Sequence, residues 1–214
     1  MADALEVSVA GVPLRLLADR ALHWPERARL VVADLHLGKG DVFRAAGIPV
    51  PSGGTAHDLE RLATLLRDTR ATALWVLGDF LHGPWPDPVA SAWRAFREAH
   101  ADVDMLVVRG NHDRALDAGA AGVREVARSI HDGPFEFRHA PPGTPGGAHV
   151  VCGHVHPVVR LRGAGRFPLF WMQPDALVLP AFSRFSGGFA VRGSDSAGSV
   201  VCNGEQLVRL PGTA

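Results

Sequence analysis

Tyrosine is absent from this chain of 214 residues, and its 22 basic side chains include a single lysine, Lys39. We read both features as coding bias toward GC-rich codons, not as an arginine-based recognition device. Cysteine is scarce as well, with only Cys152 and Cys202. Two cysteines cannot build a disulfide framework, and without an export signal they read as reduced thiols in the cytoplasm. The opening MADALEVSVAGV is acidic and has no basic segment leading into an apolar core, so it does not read as a signal peptide. No apolar run is long enough to span a bilayer, which excludes a membrane protein of the helical kind. An excess of one charge is also lacking, since 22 acidic residues balance the 22 basic ones. A polyanion must then be held by a local cluster of cations, because the chain as a whole exerts no attraction on it.

What remains is the composition of an ordinary water-soluble globular protein, 47% hydrophobic and 21% charged. The length fits one domain over residues 1–214, burying roughly 70% of the surface its unfolded form exposes. RLVVADLH from Arg29, ALWVLGDF from Ala73 and DMLVVRGNHD from Asp104 are short apolar runs ending in polar residues. Each reads as a buried strand whose far end emerges from a sheet. Between the first two, Thr55 and Asp58 fit a capping box, and Leu59, Leu62 and Leu66 share a helical face. Between the second and third, Asp87 and Pro88 suit a helix start, with Val89, Trp93 and Phe96 at helical spacing.

After about Val123 the pattern turns to short strands between Gly and Pro: FEFRHA, HVVCGHVHP, VVRLRG, ALVLPAF, FAVRG and VVCNGEQLVRL. The expected class is α/β, an α+β sandwich of two packed mixed sheets flanked by helices. APPGTPGGA, Ala140 to Ala148, reads as a flexible loop, and the long Gly38–Gly54 connection is unusual enough to carry function.

Parallel strands present functional side chains at their carboxyl ends. Those ends carry Asp34 and His36, then Asp79, then Asn111, His112 and Asp113. His139 closes FEFRH, with His131 and His149 as nearby rivals. CGHVHP places His154 and His156 at i and i+2, the spacing that shares one face of a strand. These oxygen and nitrogen donors suit Mn, Fe, Zn or Ni, and no thiolate set favours a structural zinc.

The ordered series DLH, GDFLHG, RGNHD, a lone His139 and CGHVH resembles the calcineurin-like metallophosphoesterase superfamily. That resemblance implies two divalent transition metal ions. Asp34, His36 and His156 would hold one, Asp79 would bridge, and Asn111, His139 and His154 would hold the other. Two such cations about 3.5 to 4 Å apart stabilise in-line displacement at phosphorus. His112 is left without a metal and is placed to protonate the leaving oxygen. Asp113 either orients His112 or supports the turn. His82 reads as a hydrogen-bonding partner, Cys152 as a buried inert thiol, and His23, His57 and His100 as surface or helix residues.

Further stretches, DLHLGKGDVFRAAGIPVP, HAPP, GHVHP and LPAFSRFSGG, look like the ligase-associated DNA damage response endonuclease branch. Membership there implies manganese-dependent hydrolysis of DNA phosphodiesters, single-stranded DNA first, in association with a DNA ligase, a helicase and a second nuclease. Lys39, Arg44 and Arg184 are its candidate phosphate contacts. Hydrolysis of a small nucleotide is the alternative within the superfamily, and a metal-free protein-binding platform is the alternative outside enzymes. GDFLHG and GNHD depart from the protein phosphatase patterns GDxVDRG and GNHE.

Overall fold

The computed structural model of the chain describes residues 3–143, 147–196 and 198–211. It opens with an antiparallel meander absent from the sequence reading: β1 (Ala4–Val9), β2 (Val12–Leu17) and β3 (Ala21–Trp24). A signal for it exists in ALEVSV, where Val7 and Val9 alternate with exposed residues and end buried between the sheets. The three apolar runs become β4 (Arg29–Val32), β5 (Ala73–Leu77) and β6 (Asp104–Val108), followed by β7 (Arg124–Val126). The first sheet runs β1-β2-β3-β4-β5-β6-β7, antiparallel as far as β4 and parallel from β4 onward. Central parallel strands are covered on both faces, which is why their sequences show no alternation.

Four α-helices accompany this half: α1 (Lys39–Ala45), α2 (Gly54–Thr69), α3 (Asp87–Ala99) and α4 (Ala118–Ala121). Leu59, Leu62 and Leu66 of α2 and Val89, Trp93 and Phe96 of α3 bury together against Leu30, Leu74 and Met105 of the sheet. The expected capping box does not form. Helix α2 starts after Gly53 with no side-chain cap. The hydroxyl of Thr55 accepts instead from the Gly38 amide at 3.1 Å, which closes the ends of the long connection around α1. At α3 the capping residue is Pro86, one position before the expected Asp87.

The second half forms β8 (Ser129–Asp132), β9 (Phe135–Arg138), β10 (His149–Cys152), β11 (Pro157–Leu161) and β12 (Gly165–Met172). It continues with β13 (Ala176–Val178), β14 (Phe189–Ala190), β15 (Val200–Cys202) and β16 (Leu207–Arg209). The second sheet runs β14-β11-β12-β13-β10-β9-β8, with β15 joining β12 to β16. It too is mixed, since β10 lies parallel to β9 and β13 while β12 is antiparallel to β11 and β13. One core joins the sheets face to face, with Val31, Trp75 and Leu106 meeting Phe137, Val151, Phe170 and Leu177. Residues 144–146 of the Pro- and Gly-rich loop between β9 and β10 lie outside the described residues. No helix among the described residues is long and apolar enough to cross a membrane.

One buried cation ties the layers together beside the site. Arg61 of α2 is 7% exposed. It reaches Asp58 at 2.9 Å, Asp19 in the β2–β3 turn at 3.1 Å, and the Phe182 carbonyl at 3.0 Å. Removing one partner from such a buried network strands the others, at about 3–5 kcal/mol. Arg61→Met is therefore expected to lower the urea midpoint sharply, and an unchanged midpoint would show that the network adds nothing to stability.

Candidate metal centre

The carboxyl ends of strands from both sheets deliver the donors to one place. Asp34 follows β4, Asp79 follows β5, Asn111 follows β6, His139 follows β9, and His154 with His156 follows β10. Backbone bonds hold the first two segments in step: the Asp34 amide donates to the Gly78 carbonyl at 3.1 Å and the His36 amide to the Asp79 carbonyl at 2.7 Å. The histidine pair corrects the sequence reading. Strand β10 ends at Cys152, so His154 and His156 stand on a loop and not on a strand face. Left-handed backbone turns them inward, with φ of 72° at His154 and 49° at His156. Asp34, His36 and Asp79 share this conformation, at 55°, 47° and 48°.

Six of the seven candidate ligands form two donor sets with Asp79 common to both: Asp34, His36, Asp79 and His156, then Asp79, His139 and His154. Within each set every donor atom lies within 4.8 Å of the others. The two oxygens of Asp79 divide between the sets, Oδ2 at 3.8 Å from His36 Nε2 and Oδ1 at 3.5 Å from His139 Nε2. His156 Nε2 lies 3.3 Å from His36 Nε2 and 3.4 Å from Asp34 Oδ1. Asn111, the seventh, places Oδ1 at 3.0 Å from His139 Nε2, and His154 Nδ1 is equally close at 3.0 Å.

These side chains fit a cation in each set. The Leu77 carbonyl lies 3.0 Å from His139 Nδ1 and accepts its proton, which leaves Nε2 as a lone pair facing the oxygens of Asn111 and Asp79. Lone pairs turned toward one another are stabilised by a positive charge between them. His36 is held neutral, its pKa pushed down to about 2 by burial first and by Lys39 next, and neutral imidazole is the form that ligates. Burial, then His139, also lowers His154. A pair of divalent ions bound here supplies Lewis-acid polarisation of a phosphoryl oxygen and an acidified water. The donors are oxygen and nitrogen only, and Cys152 belongs to neither set, its buried thiol pushed up to about 12 by burial first and by Asp34 next.

A family model described as calcineurin-like phosphoesterase matches residues 29–181, a span that holds all seven donors. The chain belongs to the calcineurin-like phosphoesterases. Among solved structures it is similar to Pseudomonas putida nuclease MPE, at 33% identity and a TM-score of 0.85 over 97% of this chain and 100% of that one. The phosphoesterase Yfce from E. coli is 17% identical, with a TM-score of 0.48 over 86% of this chain and 92% of its own. No curated protein matches the chain.

In this calcineurin-like phosphoesterase the remaining candidates fall into distinct places. His112 is exposed at the mouth, its amide donating to Asp79 Oδ1 at 2.9 Å and its ring stacked on His82 with centroids 4.9 Å apart. Asp113 is fully buried and accepts from the amides of Leu81 at 2.9 Å and Gly110 at 2.8 Å. Of its two expected roles, these bonds are those of turn support. His82, whose pKa burial lowers to about 4, places Nδ1 at 3.2 Å from His36 Nδ1 and so braces that ligand from behind. Lys39 opens α1, 8% exposed, with Nζ at 3.4 Å from the Ser186 hydroxyl. Burial lowers its pKa while Asp34 and Asp79 oppose the shift. Arg44 is occupied locally by Asp41 and the Pro51 carbonyl. Arg184 is exposed beside His156 and borders a cleft with Arg20 and Arg166, two residues the sequence reading did not single out. Arg20 carried no local signal, since its carbonyl partners lie about the far end of β13, at Ala181 and Ser183. His131 is exposed on β8 and His149 starts β10, at the end opposite the site. His23 proves to be buried on β3 instead of lying on the surface.

Two glycines of the motifs are needed by close approach. At Gly78, φ is +76° and an added Cβ would lie 2.2 Å from His139 Nδ1. At Gly110 a Cβ would lie 2.1 Å from the Asp79 amide nitrogen and 2.3 Å from Oδ1. Gly110→Ala is expected to displace Asp79 from both donor sets, seen as loss of bound metal from a protein that still folds; full metal content in the variant would refute the packing argument.

Proposed function

We propose that this calcineurin-like phosphoesterase is a dinuclear, manganese-dependent phosphodiesterase that cleaves single-stranded DNA during repair in the cytoplasm, alongside a DNA ligase, a helicase and a second nuclease. The observation that carries the chemistry is the division of the Asp79 oxygens between two donor sets. The nucleic-acid substrate is supported by likeness along nearly the whole chain to a protein described as a nuclease, at 33% identity. In this reading the seven donors hold the metals, His112 protonates the leaving oxygen, Asp113 fixes the turn that carries Asn111 and His112, and Lys39 and Arg184 attract phosphate.

The test is competition among a nitrophenyl monoester, a bis-nitrophenyl diester and labelled single strands, using purified protein reconstituted with Mn, Ni or Fe. The diester should be preferred over the monoester, and strands should be cut with manganese. A marked monoesterase, or intact strands with every metal, would overturn the reading.

A further inference from the structure

The chain as a whole carries no net charge, yet one cleft concentrates cations. It has a volume of about 310 Å³, and among its lining residues are Arg20, Arg166, Arg184 and His156, with no carboxylate among the described residues of the lining. Arg20 is fixed at its back, Nη1 donating to the carbonyls of Ala181 at 3.3 Å and Ser183 at 3.1 Å. Arg166 leans on the Gly188 carbonyl. Arg184 has no hydrogen-bond or ion-pair partner among the described residues and is exposed, so its planar fork is free for an oxyanion.

The cleft adjoins the metal centre through one residue. His156 borders it, while His156 Nε2 lies 3.3 Å from His36 Nε2 inside the first donor set. At the rim stands Phe189, 58% exposed. It follows Gly188 in the chain and pairs across to Pro157, both of which line the cleft. Its amide is tied to the carbonyls of Val155 at 3.2 Å and His156 at 3.1 Å, so the rim is fixed to the loop that carries the two histidine donors. Cations beside an exposed ring are the parts with which proteins hold single strands, phosphate on the charge and base on the aromatic face.

We propose that this cleft binds the nucleic-acid strand next to the scissile bond. A flanking phosphodiester sits on Arg166 and Arg184 in the field of Arg20, and the adjoining base stacks on Phe189. The assignment rests on the nuclease reading for its substrate class. It adds the residues that make the protein favour a strand over a small ester.

Binding is measured by fluorescence anisotropy on the metal-loaded protein with a single-stranded phosphorothioate oligonucleotide, over a series of salt concentrations, so that it does not depend on turnover. For Arg166→Ala/Arg184→Ala the affinity should fall at least about tenfold, and the slope of log K against log salt should shrink by about 0.7, the contribution of the one phosphate the two arginines share. Phe189→Ala should weaken binding by about 5- to 150-fold with the parent's salt slope, the loss of one stacked base. Arg184→Lys should keep the slope, because the charge remains. In each variant kcat/KM for bis-nitrophenyl phosphate should fall by a smaller factor than the affinity for the oligonucleotide does. Parent-like affinity and slope in the double variant would overturn the cleft assignment, even if the parent cuts DNA. A parent that binds strands through these arginines but cuts none would uphold the cleft while removing the nuclease reading. Competition by inorganic phosphate as strong as by the oligonucleotide would show a free-anion site and overturn it.

Discussion

Asp79→Ala is expected to abolish phosphodiester hydrolysis, lowering kcat/KM for bis-nitrophenyl phosphate by at least about 10³-fold. The reason is geometric. Asp79 is the one donor that belongs to both sets, with one oxygen turned to each. Its Oδ1 also anchors the His112 amide at 2.9 Å. Truncation therefore removes a negative charge from between two cation sites and loosens the turn that carries His112. Lewis-acid stabilisation contributes several kcal/mol to such reactions, and about 4 kcal/mol corresponds to three decades of rate. Metal analysis of the same sample should show fewer than two ions per chain. Two ions retained, with activity within tenfold of the parent, would show that Asp79 does not bridge.

His112→Asn separates proton transfer from metal binding. The ring is exposed and belongs to neither donor set, and the link to Asp79 runs through the backbone amide, which asparagine keeps. The variant should hold two ions per chain. General-acid catalysis contributes about 10²–10⁴-fold where the leaving oxygen is a poor one. Cleavage of DNA, with an alkoxide leaving group, should fall within that range, whereas a nitrophenyl diester needs little proton assistance and should fall less than tenfold. Equal losses on the two substrates would argue against proton donation and for a positioning role through the stacked His82.

The parallel half of the first sheet was legible because β4, β5 and β6 are unbroken apolar runs and the leucines of α2 recur at helical period. The opening meander was not, although ALEVSV alternates, since its apolar residues form no unbroken run and belong largely to an intersheet core that only the fold creates. Strands β7, β8 and β12 escaped for a related reason: Arg124–Val126 and Ser129–Asp132 are barely buried, and Gly165–Met172 carries a proline at Pro168. Residue types at strand ends singled out the candidate donors, and the structure brings Asp34, His36, Asp79, Asn111, His139, His154 and His156 together. The route by which the histidine pair divides was misread. Strand alternation would have aimed both rings alike, whereas consecutive turns of left-handed backbone send His154 toward His139 and His156 toward His36. Sequence reports such dihedrals only where glycine or asparagine marks them. The arginine cleft was hidden because its cations lie on segments joined only by the tertiary fold.

Asp34, His36, Asp79, His154 and His156 all occupy a backbone region that L-residues enter at about 1–2 kcal/mol apiece. Glycine would relieve that tension at His36, His154 and His156, whereas at Asp34 and Asp79 it would also strand the His154 and His112 amides that those carboxylates accept. A gene copy freed from selection for hydrolysis should therefore admit glycine first at the three histidine codons, and such a descendant should melt above the metal-free parent while no longer gaining stability from added metal.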